Sequence, residues 1–163
     1  MSYSAGDVPS VQLYSGVESQ MAPNRCQEAS ATALDWYKDD LVEFDLTGST
    51  QYVCIADVPD SATVIGGIAM AACTGVTGTK LDVALLDPGA IYKMYMDNAS
   101  YAAPSLVGHA YDLVYTAGTQ RVTDTSHTAN EVIVVGINED DYATNEGIVY
   151  VRFTFKCFGT EST

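Results

Sequence analysis

Basic residues are scarce in this chain of 163 residues, which has seven Lys plus Arg against twenty-one Asp plus Glu and a formal net charge of −14. Affinity for phosphates comes from Lys and Arg, so this charge argues against duplex nucleic acid as a partner. It disfavours an anionic membrane surface for the same reason. The acidity favours solubility and permits docking onto a basic surface.

Long apolar runs are also missing. The most apolar stretch, ATVIGGIAMAAC at residues 62–73, is shorter than the roughly 20 residues that a membrane-spanning helix needs. The first residues, MSYSAGDVPSVQLYSG, have neither the basic region nor the apolar region of a signal peptide. We therefore expect a soluble protein that is made in a cytoplasm.

Residues that carry catalysis are few. The chain has two histidines, His109 and His127, and it contains no G-x-S-x-G elbow, Walker loop or G-x-G-x-x-G motif. Nucleophilic catalysis needs a base beside the nucleophile. Glycoside hydrolysis needs two carboxylates that face one cleft, and nothing in the sequence singles out such a pair of acids. We predict no enzyme activity, no catalytic residue and no cofactor. A small β-barrel hydrolase that uses His109 or His127 stays an alternative.

The cysteines and acids do not form a recognisable metal motif. Cys26, Cys54, Cys73 and Cys157 are widely spaced and no histidine lies near them, so we predict no zinc site and interpret them as small buried hydrophobes. Whether any of them form disulfides stays open. The loop NEDDYATNEG at residues 138–147 is rich in the oxygen ligands that calcium favours, but it lacks the EF-hand spacing. We interpret it as a solvated loop, with calcium binding left open.

Short alternating runs are what the chain has in abundance. From residue 39 onward they recur with Gly, Pro or Asn at the joints. The pair Gly66-Gly67 predicts a bulge or bend in the strand TVIGGIAMAA, and Asp87-Pro88-Gly89 predicts a type II turn. These patterns predict an all-β fold, a single antiparallel β-barrel or sandwich, over residues 39–158, followed by a flexible tail at 159–163.

Residues 1–38 differ from the rest of the chain. They contain Pro9, Pro23, many serines and isolated large residues, without a sustained periodicity. We predict an extended N-terminal arm that becomes ordered by docking onto another molecule, and we expect the domain to fold without it. An irregular first strand of the barrel and a disordered tail are the alternatives.

The final alternating run, GIVYVRFTFKC at residues 147–157, has two of the seven basic residues on one side. That side is the one opposite the apolar Val149, Val151 and Phe153. Tyrosine and arginine are enriched at protein–protein contacts, so this side predicts an interface. The predicted interface residues are Tyr150, Arg152 and Lys156 on the last strand, Tyr3, Val11, Leu13 and Tyr14 in the arm, and Trp36.

Two stretches resemble the capsid decoration, or cement, proteins of tailed phages. One is residues 40–96, with an opening strand DDLV that has Asp39 where the family has Gly, a small-residue strand GIA, and a PG turn before AIYKMYM. The other is residues 106–155, with the late pair VVGI and VYVRF. The resemblance implies a virion structural protein on the outer surface of the capsid, made in the host cytoplasm. It also implies capsid stabilisation, with the major capsid protein and further copies of this chain, as a homotrimer, as partners.

Other non-enzymatic functions stay open beside this one. Exposed tyrosines and Trp36 could stack on sugars, as in a carbohydrate- or host-surface-binding β-module of a head fibre or an adhesin. Such a module would bind glycans as an isolated protein, whereas a decoration protein would bind only assembled shells. A self-assembling coat component would instead polymerise alone.

Overall fold

The computed structural model of the chain describes residues 10–16, 19–20, 24–26, 37–45, 52–55, 65–72, 80–97, 101–116, 118–125, 128–141 and 146–154. These residues form two β-sheets and no α-helix, which confirms the predicted all-β class. The arrangement is that of a sandwich, and the sheets do not close into a barrel. No helix in the described part of the chain has the length and apolarity needed to cross a membrane.

Thirteen strands are formed by the described residues. They are β1 (Gln12–Ser15), β2 (Ser19–Gln20), β3 (Asn24–Cys26), β4 (Leu41–Asp45), β5 (Tyr52–Ile55), β6 (Ile65–Ala69), β7 (Lys80–Leu81), β8 (Val83–Leu85), β9 (Ile91–Tyr95), β10 (Ala110–Thr116), β11 (Thr119–Thr123), β12 (Val132–Ile137) and β13 (Ile148–Phe153). Single 3₁₀ turns occur at Pro104–Leu106 and Glu139–Asp141.

The two sheets differ in how regular their pairing is. The six-stranded sheet has the order β1-β9-β13-β12-β10-β11, and every pair in it is antiparallel. The seven-stranded sheet has the order β2-β8-β6-β4-β5-β3-β7, and its described pairs are antiparallel apart from the parallel pair of β3 with β5. An isolated parallel β-bridge links Met96, just after β9, to Val122 on β11, but the six-stranded sheet does not form a closed barrel.

Alternation along the strands builds the core between the sheets. The Tyr92 ring on β9 meets the Phe153 ring on β13 edge-on, with centroids 5.3 Å apart and planes at 72°. The same inward side of these strands carries Met94, Val149 and Val151, all fully buried. The seven-stranded sheet contributes the apolar side chains of Leu41, Ile65 and Ile68. The opposite side of β9 and β13 is therefore left to face outward.

The small-residue strand β6 is packed too closely for any side chain at Gly67. A Cβ placed there would overlap the carbonyl oxygen of Ala84 and Cγ1 of Val83 on β8. The register between β6 and β4 shifts by one residue between Ile65 and Gly67, which confirms the predicted bulge.

The turn at Asp87-Pro88-Gly89 is present, but its type was predicted wrongly. The Ala90 N–H donates to the Asp87 carbonyl at 3.1 Å, which closes the turn. Gly89 does not adopt the positive φ that a type II turn requires. The Asp87 carboxylate instead accepts the Gly89 N–H at 2.7 Å, an Asx turn that the sequence pattern had not separated from type II.

The described part of the predicted N-terminal arm belongs to the sandwich. Strand β1 pairs with β9, and β2 and β3 pair within the seven-stranded sheet. Val11 is completely buried, and its N–H donates to the Asp39 carbonyl at 3.0 Å. The prediction that Val11 contacts a partner is therefore wrong, because the domain's own core covers this side chain. The described residues of this segment that form β1, β2 and β3 pair with strands of the two sheets.

A buried hydrogen-bond junction fastens the start of β1 to both sheets. Ser10 Oγ donates to the Asp40 carboxylate and accepts the Gln120 N–H at 3.0 Å. The Gln120 side chain accepts the Leu41 N–H and donates to the Leu41 carbonyl, both at 3.0 Å. Gln120 lies on β11 and Leu41 on β4, so the Gln120 side chain makes two hydrogen bonds to the backbone of the other sheet, as a neighbouring strand would.

Candidate interaction face

The outward side of the six-stranded sheet is accessible over β1, β9, β13 and β12. Along each strand, the side chains on this side alternate with the side chains that point into the core, because successive residues of a strand face opposite sides. We term this surface the outer face, and its side chains are Gln12, Tyr14, Ile91, Lys93, Tyr95, Ile133, Val135, Ile148, Tyr150 and Arg152.

Strand register sets which of these side chains are neighbours. Lys93 on β9 lies opposite Gln12 on one side and Tyr150 on the other. Arg152 on β13 lies opposite Ile133 on β12. Side chains directly opposite each other on one face of a sheet are close enough to interact. The outer face is therefore one continuous surface across four strands, with aromatic, cationic and aliphatic groups side by side.

Two bulges add side chains to the outer face. In β1 the register shifts between Leu13 and Ser15, which leaves Tyr14 as the extra residue. In β12 the register shifts between Val134 and Gly136, which leaves Val135 as the extra residue. A bulge re-aims side chains and ends regular alternation. Tyr14 and Val135 accordingly remain exposed, at 61% and 37% of their surface.

Tyr14 and Tyr150 are in ring contact on this face. Their centroids lie 4.3 Å apart and their planes are tilted by 44°. Because β9 separates the strands that carry them, the two rings meet above β9. The Tyr150 ring also covers Gly136, where an added Cβ would lie 3.4 Å from Tyr150 Cδ2. The structure thus brings together two of the residues predicted for the interface.

The outer face is positive within a strongly negative chain. None of the residues of β1, β9, β12 and β13 is Asp or Glu. Of the four basic side chains that the structure describes, Lys93 and Arg152 lie on this face. Arg121 is buried and lies 2.6 Å from Glu146, and Lys38 is exposed outside the face. Lys93 Nζ lies 5.4 Å from the centre of the Tyr95 ring, within the range of a cation–π contact.

The remaining predicted interface residues have different places. Leu13 is partly buried against the core, so it supports β1 and does not add to the outer face. Tyr3, Trp36 and Lys156 lie outside the described residues. The interface prediction did not include Lys93, Ile133 or Val135. Their alternation in AIYKMYM and EVIVVGI was the signal that could have found them.

The residues considered for catalysis do not form a site in the part of the chain that is described. His109 is exposed just before β10, with its N–H donating to Leu106 and its carbonyl accepting from Val134. His127 lies outside the described residues. A cleft of about 320 Å³ opens beside β1, and its lining among the described residues includes Lys38 and Asp39 but no histidine, serine or cysteine.

The structure describes only some of the residues on which the predictions about metals and cysteines depend. Among the described residues, no group of three His, Cys, Asp or Glu side chains is placed to hold a metal ion. In the acidic loop, Glu146 forms a salt bridge with Arg121, and residues 142–145 lie outside the residues that the structure describes. Cys73 and Cys157 also lie outside the described residues, and for the other two cysteines only the backbone is described.

No protein-family model, curated protein or solved structure matches the chain. The resemblance to capsid decoration proteins therefore rests on the motifs quoted above. A β-sandwich by itself does not assign a function, because this architecture carries many unrelated ones. Function has to be argued from the residues of the outer face.

Proposed function

We propose that this protein is a non-catalytic virion component that binds the outside of an assembled phage capsid and stabilises it. The motifs in residues 40–96 and 106–155 support this proposal, since they resemble capsid decoration proteins. The all-β sandwich is compatible with that role. The outer surface of the capsid would be its location, and the major capsid protein would be its principal partner.

The observation that carries the proposal is the outer face itself. It exposes the Tyr14–Tyr150 ring pair, two cations and two aliphatic side chains on a sheet whose other side is the core. Tyrosine and arginine are the residue types enriched where proteins bind one another, and acidic residues are depleted there. A surface of this composition is suited to contact with another protein.

The size of the outer face suggests how attachment would be achieved. Four strands about 4.8 Å apart, each about 17 Å long, cover roughly 330 Å² in plan. A stable interface buries about 800 Å² on each partner. One outer face alone is therefore expected to bind weakly, and joining several copies, as in a homotrimer, would raise the strength of attachment through avidity.

Stabilisation of the shell would follow from selective binding. A protein that contacts neighbouring capsid subunits binds only the assembled state, so its binding adds free energy to that state by mass action. Subunits could then separate only after the bound protein had been displaced. The net charge of −14 would keep the decorated surface soluble and limit its adhesion to other anions.

Co-sedimentation with undecorated shells of the phage that encodes this chain tests the proposal. We expect the wild type to pellet with shells and not with dissociated capsid subunits. The double variant Tyr14→Ala, Tyr150→Ala should lose most of this binding. Tyr101→Ala is the matched control, because Tyr101 is 50% exposed and lies outside the outer face. Failure of the wild type to bind shells would refute the proposal.

A glycan-binding module of a virion is the second candidate, and the exposed Tyr14–Tyr150 pair favours it. Tyrosine rings can stack on sugar rings. The 44° tilt between the two planes counts against a flat stacking platform. Binding of the isolated protein to an array of bacterial surface glycans, lost in Tyr14→Ala but kept in Tyr101→Ala, would favour this candidate over capsid attachment.

A further inference from the structure

We infer that the outer face docks onto a protein surface that presents carboxylates to Lys93 and Arg152 and an apolar strip to Ile133 and Val135. This inference rests on the proposed capsid binding and specifies the chemistry of the partner. The described outer face has two adjoining parts of different character. Each part restricts what can cover it.

The cationic part consists of Lys93 on β9 and Arg152 on β13. The Lys93 ammonium group lies 5.4 Å from the centre of the Tyr95 ring. Arg152 is exposed, and its cross-strand neighbour is the aliphatic Ile133. No acidic residue occurs in the four strands of the face, so the face itself cannot neutralise these charges. Carboxylates complement such donors best, and arginine can bind one through two parallel hydrogen bonds.

The aliphatic part consists of Ile133 and Val135 on β12. Both are more than a third exposed, at 38% and 37%. Val107, which is 42% exposed, precedes Gly108, whose N–H donates to the Val134 carbonyl beside the same strand. Exposed apolar groups that lie together mark contact surfaces more often than isolated ones do. Because Ile133 pairs with Arg152, a single partner would cover both parts.

This combination favours a protein over the other macromolecules that carry negative charge. A glycan or nucleic acid would satisfy Lys93 and Arg152 but would leave Ile133 and Val135 without apolar contacts. The planes of the Tyr14 and Tyr150 rings are tilted by 44°, so the pair does not form a flat surface on which a sugar or a base could stack. A net charge of −14 repels extended polyanions, whereas local carboxylates on a folded partner are tolerated. Capsid surfaces with an apolar strip flanked by Asp or Glu would fit both parts.

Charge reversal at a matched pair of sites tests the cationic part. Arg152→Glu and Lys38→Glu change the net charge equally, but only Arg152 lies on the outer face. In co-sedimentation with undecorated shells we expect Arg152→Glu to weaken binding more than tenfold and Lys38→Glu to stay within twofold of the wild type. Arg152→Gln serves as the milder variant if the reversal disturbs folding, and we expect it to weaken binding severalfold.

Carbodiimide cross-linking of the decorated shells identifies the partner groups directly, because it joins an amine to a carboxylate in contact with it. Mass spectrometry should find Lys93 linked to an Asp or Glu of the capsid protein, and the link should vanish in Lys93→Arg. The double variant Ile133→Thr, Val135→Thr should also weaken binding severalfold. Leu85→Thr, at a 39% exposed site on the other sheet, should not.

The outcomes separate this inference from the proposed function. If the wild type does not bind shells, the proposed function fails and the inference falls with it. If the wild type binds but Arg152→Glu and Arg152→Gln behave like Lys38→Glu, and Lys93 forms no link, the inference is overturned while capsid binding stands. Binding that survives the threonine double variant unchanged would overturn the aliphatic part alone.

Discussion

Tyr14 and Tyr150 touch across an intervening strand, with ring centroids 4.3 Å apart. Tyr14 comes from the first described strand of the chain and Tyr150 from the last. The outer face is therefore complete only when β1 is in place beside β9. The contact makes the stability of the N-terminal strand and the shape of the outer face depend on each other.

The tyrosine contact is expected to be measurable as a coupling energy. Tyr14→Ala, Tyr150→Ala and the double variant should give a non-additive term of about 0.5–1.5 kcal/mol in the free energy of unfolding, the range typical of aromatic pairs. Urea denaturation measures it. The same cycle with Tyr14 and Tyr101 should be additive within about 0.5 kcal/mol. Additivity in the first cycle would show that the rings contribute no mutual stabilisation.

Local sequence patterns predicted the strands well where alternation is sustained. The run that became β13 was recognised from a period of two, and the paired glycines correctly located the bulge in β6. β1 was less distinct, because it is only four residues long and no sustained alternation surrounds it. The buried residues just before it, Ser10 and Val11, bond to Asp39, Asp40 and Gln120, which are distant in the chain and leave no local signature.

The candidate site was only partly predictable for a similar reason. Tyr150 and Arg152 were recognised because they alternate with apolar residues on a single strand. Lys93 and Ile133 join them only through the sheet order β9-β13-β12, which does not follow the order of strands along the chain. Tyr14 reaches the face through a bulge, a local break in register that composition does not reveal.

Removal of residues 1–38 is expected to destabilise the domain, contrary to the expectation from composition. A chain that starts at Asp39 lacks the fully buried Val11, the whole of β1 and the Ser10 hydroxyl that bonds to Asp40. Loss of a buried aliphatic side chain and of a strand exposes core that the wild type covers. Thermal unfolding followed by circular dichroism should show a lower or a non-cooperative transition. An unchanged melting temperature would show that β1 adds no stability.

Gln120→Ala should be among the most destabilising polar substitutions. The change removes both hydrogen bonds to Leu41 and leaves a buried N–H and carbonyl without these partners. Such groups cost about 1–3 kcal/mol each, so for the two groups we expect a loss of about 2–6 kcal/mol in the free energy of unfolding. Gln12→Ala on the outer face is the matched control and should change it by less than about 0.5 kcal/mol. Equal effects from the two would contradict the bridging role of Gln120.

Asp40 should give the protein an unusual dependence of stability on pH. Burial raises the pKa of this carboxyl above its usual 3.8, while hydrogen bonds from Ser10 and from the Tyr37 N–H act in the opposite direction and neighbouring Asp39 raises it further. A raised folded-state pKa means that the folded protein holds the proton more tightly than the unfolded chain does. The resulting stabilisation is complete below the unfolded pKa and is lost as the pH rises through the folded pKa.

Lowering the pH from 7 towards 4 is therefore expected to raise the free energy of unfolding of the wild type more than that of Asp40→Asn. Urea denaturation at several pH values measures the difference. Asp82→Asn is the control, because it removes one negative charge at an exposed site and leaves the buried junction intact. It should retain the wild-type pH dependence, apart from the small change in overall repulsion that both variants share. If Asp40→Asn follows the same curve as Asp82→Asn, then Asp40 does not titrate differently in the folded protein, and the junction at Ser10 is insensitive to pH.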